Sequence, residues 1–283
     1  MNRLLFLLLI SLLFFSCSNG VKKKSVVTEK SLDLQVNEAY EEGLKALKEN
    51  DVLFAARKFN EVEILYPQSE LAPKSLLMAA YAYYIDDYYE DCIEELERFL
   101  RVYPKDKNQD YAYYLLGISY YEQIVDEKKD LFSILKSKEY FQYIIKNYPN
   151  TEYAFDSSFK IELINDILAA KEIYLGRYYI DKKKWIPAIN RFKNVVKYYD
   201  TTIYIEEALY RLVEVHYLLG LKDEAKKYAN LLGYNYESSE WYENSYALFD
   251  KTYKKNNLKR INQNKNKNKN KFKKIMSIFN SNE

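Results

Sequence analysis

The chain predicts an all-α fold, a right-handed superhelical solenoid of about five helix-turn-helix repeats, on three observations. Gly43, Ala55, Phe59 and Pro67 are separated by 12, 4 and 8 residues, and Gly176, Ala188, Phe192 and Asp200 repeat that spacing. Six glycines and five prolines in 283 residues leave few places for hairpins. Charged residues at 30% beside 48% hydrophobic suit helices that each bury one face. The spaced residues have distinct physical roles. Small side chains let two helix backbones approach, an aromatic one turn later fills the crossing, and a breaker eight further on ends the pair.

The register extends through the middle of the chain. Pro104, 37 residues after Pro67, puts Leu96 at the aromatic position, Cys92 at the small crossing and Ala80 where Gly43 stands. Pro149 gives Phe141 and Ser137, but Gly117 lies 20 residues before Ser137 instead of 12, an insertion of 8 residues. It falls around Gln123 to Leu135, between the two helices of the third unit, and loops protruding from a rigid scaffold are frequent contact sites. In a fifth unit, Ala208-Leu209-Tyr210 opens the first helix, and Ala225 and Ala229 hold the second-helix positions. About ten helices are expected over residues 36–253, each pair a unit of the roughly 34-residue tetratricopeptide type. Asp200 replaces the proline that ends the first three units, which predicts a looser turn there.

The two ends read differently from this body. Arg3 precedes an apolar run from Leu4 to Phe15, broken only by Ser11, which is shorter than the ~20 residues that span a bilayer. The run ends in Ser16-Cys17-Ser18, which resembles a bacterial lipobox, with Phe14 in place of the usual leucine. Residues 1–16 are thus expected to be a lipoprotein signal peptide, Cys17 the lipidated N-terminus and residues 17–35 a polar tether. Ser18 where inner-membrane lipoproteins carry aspartate points to the outer membrane. At the other end, residues 254–283 hold ten Lys or Arg against Glu283 alone. Setting those ten and Arg3 aside from the 43 bases, and Glu283 from the 41 acids, leaves 32 against 40, so the body is acidic. The Lys/Asn-rich tail is expected to be disordered, a solvated low-complexity segment or one drawn to anionic headgroups or an acidic partner. The export signal argues against nucleic acid.

Catalytic constellations are missing from the sequence. With one histidine there is no multi-histidine metal site, and His216 falls at a helix-packing position. No two glycines stand close enough for a phosphate loop or nucleophile elbow. Asp86-Asp87 and Glu94-Glu95 are adjacent, so on a helix they diverge. Cys92 has no second thiol besides Cys17 and sits where a repeat wants a small side chain. A binding scaffold without cofactor or metal is expected instead of an enzyme. Most of the 31 tyrosines are read as helix packing, with Tyr81 and Tyr84 as candidate peptide contacts on a concave face.

The run Glu97-Arg98-Phe99-Leu100-Arg101-Val102-Tyr103-Pro104 to Tyr111, followed by Tyr114-Leu-Leu-Gly117, resembles the second-to-third repeat junction of the BamD/YfiO outer-membrane assembly lipoproteins. Phe141 to Tyr153, with Asn147-Tyr-Pro-Asn-Thr-Glu-Tyr153, resembles the same family, and the likeness covers lipobox, repeats and insertion over residues 17–235. It implies a non-enzymatic scaffold of the barrel-assembly complex, lipid-anchored in the outer membrane and facing the periplasm. Its N-terminal repeats would bind unfolded outer-membrane proteins. Its C-terminal repeats would dock the barrel-assembly subunit that carries POTRA domains, beside other assembly lipoproteins. Arg98 and Tyr111 lie in the resembling run and are candidate partner contacts. Ala188-Ile189-Asn190-Arg191 resembles the family's Asn-Arg pair, making Arg191 the candidate docking residue. A different periplasmic adaptor lipoprotein, for pilus assembly or cell division, would share solenoid and lipobox but not the insertion or the Arg98 to Tyr111 run. An enzyme built on such a solenoid would need a further catalytic domain.

Overall fold

A computed structural model describes residues 30–125, 131–236 and 239–250. The signal segment, Cys17, most of the tether and the basic tail lie outside the described residues. The described residues form eleven helices: α1 (Leu32–Lys48), α2 (Val52–Leu65), α3 (Leu71–Ile85), α4 (Tyr89–Val102), α5 (Gln109–Glu122), α6 (Phe132–Asn147), α7 (Glu152–Asp181), α8 (Trp185–Tyr198), α9 (Ile205–Leu218), α10 (Lys222–Asn235) and α11 (Glu240–Phe249). Consecutive pairs make five units, and each helix packs on the next along the chain. First helices of successive units also touch, so α1, α3, α5, α7 and α9 line one side of the stack. The expected ten helices are therefore present, with α11 added as a cap: Trp241 packs 5.2 Å from Tyr210, and Tyr242 fills the space over Gly233.

The same small-to-aromatic crossing recurs in three units. A Cβ on Gly43 would meet the Phe59 ring at 2.7 Å, and one on Gly117 would meet Phe141 at 2.7 Å. At Gly176 the Phe192 ring is closer still. All three rings are fully buried, so they cannot swing aside. In the second unit Ala80 and Leu96 hold these positions, a larger small residue beside a smaller large one, and both belong to one buried cluster. Ser137 ties the third crossing together by donating to the Gly117 carbonyl at 2.9 Å.

Backbone chemistry fixes where each helix stops. Asn50, Asp87, Lys183 and Gly220 have φ of 62°, 63°, 56° and 78° and end the first helices of units one, two, four and five. The next residue in each case donates back to a carbonyl five positions earlier (Asp51 to Ala46, Tyr88 to Tyr83, Lys184 to Tyr179, Leu221 to His216; 2.8 to 3.0 Å), closing a Schellman turn. Second helices end on tyrosine in all five units: Tyr66, Tyr103, Tyr148, Tyr199 and Tyr236. Each accepts at its carbonyl from the N–H three residues on, at 2.9 to 3.2 Å. Asp200 does not loosen its turn. Tyr199 donates to Val195 at 2.9 Å and accepts from Thr202 at 3.1 Å, the same pattern as at the Tyr-Pro units, so the tyrosine carbonyl and not the proline ring holds the turn.

These tyrosines are 37, 45, 51 and 37 residues apart, which locates two insertions. The excess of 8 in the third unit is the connection between α5 and α6, as the spacing predicted. The excess of 14 in the fourth is inside α7, which runs for 30 residues as one uninterrupted helix. Fourteen residues are nearly four turns at ~3.6 residues each, so the extension returns Gly176 to within roughly 40° of its facing. That is why the repeat pattern survives it.

Candidate functional site

A concavity with convergent polar groups opens across the first helices of units two, three and four. It has a volume of about 590 Å³ and is lined by Pro73, Lys74, Leu77, Met78 and Tyr81 of α3, Asp106 to Asn108 of the turn between α4 and α5, Tyr111 of α5 and Tyr153 of α7. Residues 74, 77, 78 and 81 recur at helical spacing, so α3 presents one continuous face to it. Tyr81 is 38% exposed at the rim. Tyr111 lies deeper, its ring 5.8 Å from that of Tyr153. Burial pushes the Tyr111 phenol well above its ordinary range, so it stays a neutral donor. Its hydroxyl has no hydrogen-bond partner among the described residues.

The floor behind these rings is rigid. Tyr114 stacks 5.0 Å from Tyr153 and donates to Asp156 at 2.8 Å, tying α5 to α7. Charge in the groove is mixed: Lys74 and Lys107 stand against Glu70 and Asp106. Such a surface suits an extended peptide with bulky apolar side chains. Aromatic walls accept the side chains, while lysines and a phenol can bond backbone carbonyls or a carboxylate. It offers no nucleophile beside a base, and no cluster of metal-ligating residues occurs among the described residues.

The residues singled out from sequence fall in different places. Tyr81 and Tyr111 meet in the groove. Tyr84 does not line it: it is half-buried between two core clusters, its ring 5.9 Å from Tyr89. Arg98 projects from α4 onto α2, where it pairs with Glu63 at 3.4 Å and donates to Asn60 at 2.6 Å while also bonding Glu95 at 2.7 Å. It thus staples the second helices of two units together. Arg191 bonds Glu172 of α7 at 3.0 Å, and Asn194 takes the other Glu172 oxygen at 2.8 Å. Its side chain remains 36% exposed, leaving guanidinium donors free to reach outward. His216 is buried, its Nδ1 donating to the Leu212 carbonyl at 2.7 Å, and Cys92 is buried 3.3 Å from the Ser119 hydroxyl. Lys74, Lys107 and Tyr153 were not singled out, although the last two stand in the sequence runs quoted above.

A charge cluster centred on the buried Glu207 joins units four and five. Glu207 of α9 is nearly inaccessible and is gripped by Arg177 of α7 and by Arg211, which also bonds Glu214 at 2.8 Å. Arg211 lies 5.8 Å from the Trp241 ring centre, so the cap helix is seated on the same cluster.

Comparison with known proteins places this solenoid. The model of the YfiO family, described as outer membrane lipoprotein, matches residues 32–231. The outer membrane protein assembly factor BamD of Rickettsia prowazekii is 40% identical over 242 residues, 86% of this chain and 94% of the relative. The BamD of Caulobacter vibrioides is 38% identical over 83% of this chain and 76% of its own length. That of Neisseria meningitidis serogroup A is 28% identical over 84% and 93%. These relatives carry the name of assembly factors, not of enzymes, and no described helix here is long and apolar enough to cross a membrane. The chain belongs to the YfiO family of outer membrane lipoproteins.

Proposed function

We propose that this chain is an outer membrane protein assembly factor, a lipid-anchored scaffold facing the periplasm that holds unfolded barrel proteins for insertion. Membership of the family and the names of its relatives support the assembly role. The groove of Tyr81, Tyr111 and Tyr153 is the observation that carries the mode of binding, because its aromatic walls and paired charges match an extended, aromatic-rich strand before it pairs. The C-terminal units are the proposed seat of the barrel-assembly subunit, with Arg191 at the contact and other assembly lipoproteins nearby. Cys17 is the proposed acylation site, and a multiply acylated cysteine is a lasting anchor.

Binding of a fluorescent peptide copying the last strand of an outer-membrane barrel tests the groove. Tyr111→Ala and Tyr81→Ala should each weaken it by roughly 3- to 30-fold, the range of aromatic contact residues. Tyr84→Phe, which keeps the packing, should leave it unchanged. Equal affinity for wild type, Tyr81→Ala and Tyr111→Ala would remove the groove from substrate binding.

A further inference from the structure

In units one, two, four and five the turn from first to second helix is three residues long, too short to do other than reverse the chain. The links between units also double back onto touching helices, so these four turns lie on one edge of the stack. At the last two, Ile180 and Trp185 beside the α7–α8 turn pack on the same buried cluster as Val215 beside the α9–α10 turn.

Charge divides this edge. The turns of units one and two carry Glu49 and Asp51 beside Lys48, and Asp86 and Asp87. That of unit four is Lys182-Lys183-Lys184, all three exposed and none with an ion pair among the described residues. Lys182 leans only on the Tyr178 ring, at 5.7 Å. Lys183 takes the left-handed position that Asn50, Asp87 and Gly220 hold in the other turns. Asn, Asp and Gly adopt that backbone at little cost and lysine does not, so a cation stands at this tip against local preference.

Apolar side chains stand beside the lysines. Ile186, two residues after Lys184, is 65% exposed, and Leu218 and Leu221, at the turn of unit five, are 62% and 46% exposed. A Cβ on Gly220 would meet nothing within 4 Å, whereas at Gly43, Gly117, Gly176 and Gly233 it would strike a ring. The turn of unit five therefore projects into open space. Asp223 and Glu224 follow its Lys222, so unit four supplies the positive charge and unit five the apolar tip.

Leucines on a protruding turn beside unpaired lysines match a bilayer interface. The apolar tips enter the boundary between headgroups and acyl chains, and the ammonium groups meet phosphates. A protein partner would need two separate hollows for two convex turns, while a fluid lipid surface conforms to both. We propose that the α7–α8 and α9–α10 turns form a membrane contact, with Lys182, Lys183 and Lys184 on the headgroups of anionic phospholipids and Ile186, Leu218 and Leu221 in the interface. The proposal rests on the reading that the chain works at a membrane, and the contact is separate from the anchor at Cys17. It holds units four and five against the bilayer, while the acidic turns of units one and two stand away from it.

The depth of a fluorophore in the full chain tests this. Leu219→Cys, in a Cys17→Ala background, takes a nitrobenzoxadiazole label while Cys92 stays buried. Residues 254–283 hold ten cations of their own, so sedimentation with vesicles is not the readout. On vesicles of phosphatidylethanolamine and phosphatidylglycerol, the label emission should shift to the blue and be quenched by a shallow lipid-borne nitroxide. On phosphatidylcholine alone it should stay as in water, and the same label at Asp86→Cys should respond to neither. A lysine near an anionic surface contributes about fivefold to binding, so Lys182→Gln/Lys183→Asn/Lys184→Gln should raise the lipid needed for half the response at least tenfold. Leu218→Gln/Leu221→Gln should abolish the shift. Both variants change exposed side chains only, so their unfolding midpoints should match the wild type. A label at Leu219→Cys that stays in water while the chain sediments with the vesicles would overturn the proposal. So would an equal response on phosphatidylcholine or at Asp86→Cys, or one indifferent to the lysine variant. None of these results bears on copurification with the barrel subunit, which tests the assembly role separately.

Discussion

Gly176 and Phe192 compete for one volume: the ring lies where the glycine's side chain would begin. The ring is fully buried and is pinned among Ala169, Ile173, Ala188 and Leu212 in one cluster. A Cβ therefore has to push the two helices apart, and the gain in helix propensity of alanine over glycine, at most ~1 kcal/mol, is too small to offset that. Gly176→Ala should lower stability by roughly 1 to 3 kcal/mol in denaturant unfolding. Adding Phe192→Leu should recover part of the loss, because Ala80 with Leu96 is the same exchange made naturally in the second unit. An unchanged or raised unfolding midpoint for Gly176→Ala would contradict the packing described.

Buried Cys92 supplies a pH prediction. Burial pushes its thiol from an ordinary value near 9 up to about 12, and the Ser119 hydroxyl opposes this only in part. The folded chain holds this proton more tightly than the unfolded one. The stabilisation is complete below about pH 9 and is lost as pH rises from 9 towards 12. In a Cys17→Ala chain at pH 8, a disulfide reagent should label no thiol until denaturant is added. The stability difference between this chain and one also carrying Cys92→Ala should narrow above pH 9. Rapid labelling of the native chain would show that the second crossing is open.

Arg191 has two readings that a pair of variants separates. Its bond to Glu172 is internal to unit four, yet its exposed edge can reach a partner carboxylate. Arg191→Ala should reduce copurification of the barrel-assembly subunit at least tenfold, the loss expected for a charged contact at an interface. Glu172→Gln, which weakens the internal pair and keeps the guanidinium, should leave copurification near the wild-type level. Equal losses in both variants would make Arg191 a strut of the α7–α8 pair and nothing more.

The small-to-aromatic spacing made the repeats legible because it records the one place where two backbones touch. Gly43 with Phe59 and Gly176 with Phe192 are pairs within one unit and close at fixed separation. The extension of α7 escaped notice for the same reason. Fourteen residues preserve helical phase, so Gly176 and Phe192 keep their spacing while the insertion lies upstream of both. Arg98 illustrates a different blindness. Its partners Asn60 and Glu63 are 38 and 35 residues earlier, on the neighbouring unit, and no local pattern reveals that an arginine will be spent on the stack. Tyr84 differs from Tyr81 by three positions, enough to turn it from the groove wall into the core. Tyrosines at the end of every second helix were a more regular signal than the prolines beside them, since their carbonyls receive the turn in all five units.

Affinity purification of the full lipidated chain from native membranes, followed by mass spectrometry of what accompanies it, is the most direct test of the assembly role. The account predicts stoichiometric recovery of a POTRA-containing barrel subunit, with unfolded outer-membrane barrel proteins enriched when their insertion is blocked. Recovery of pilus or division machinery in its place, with no barrel subunit, would contradict it.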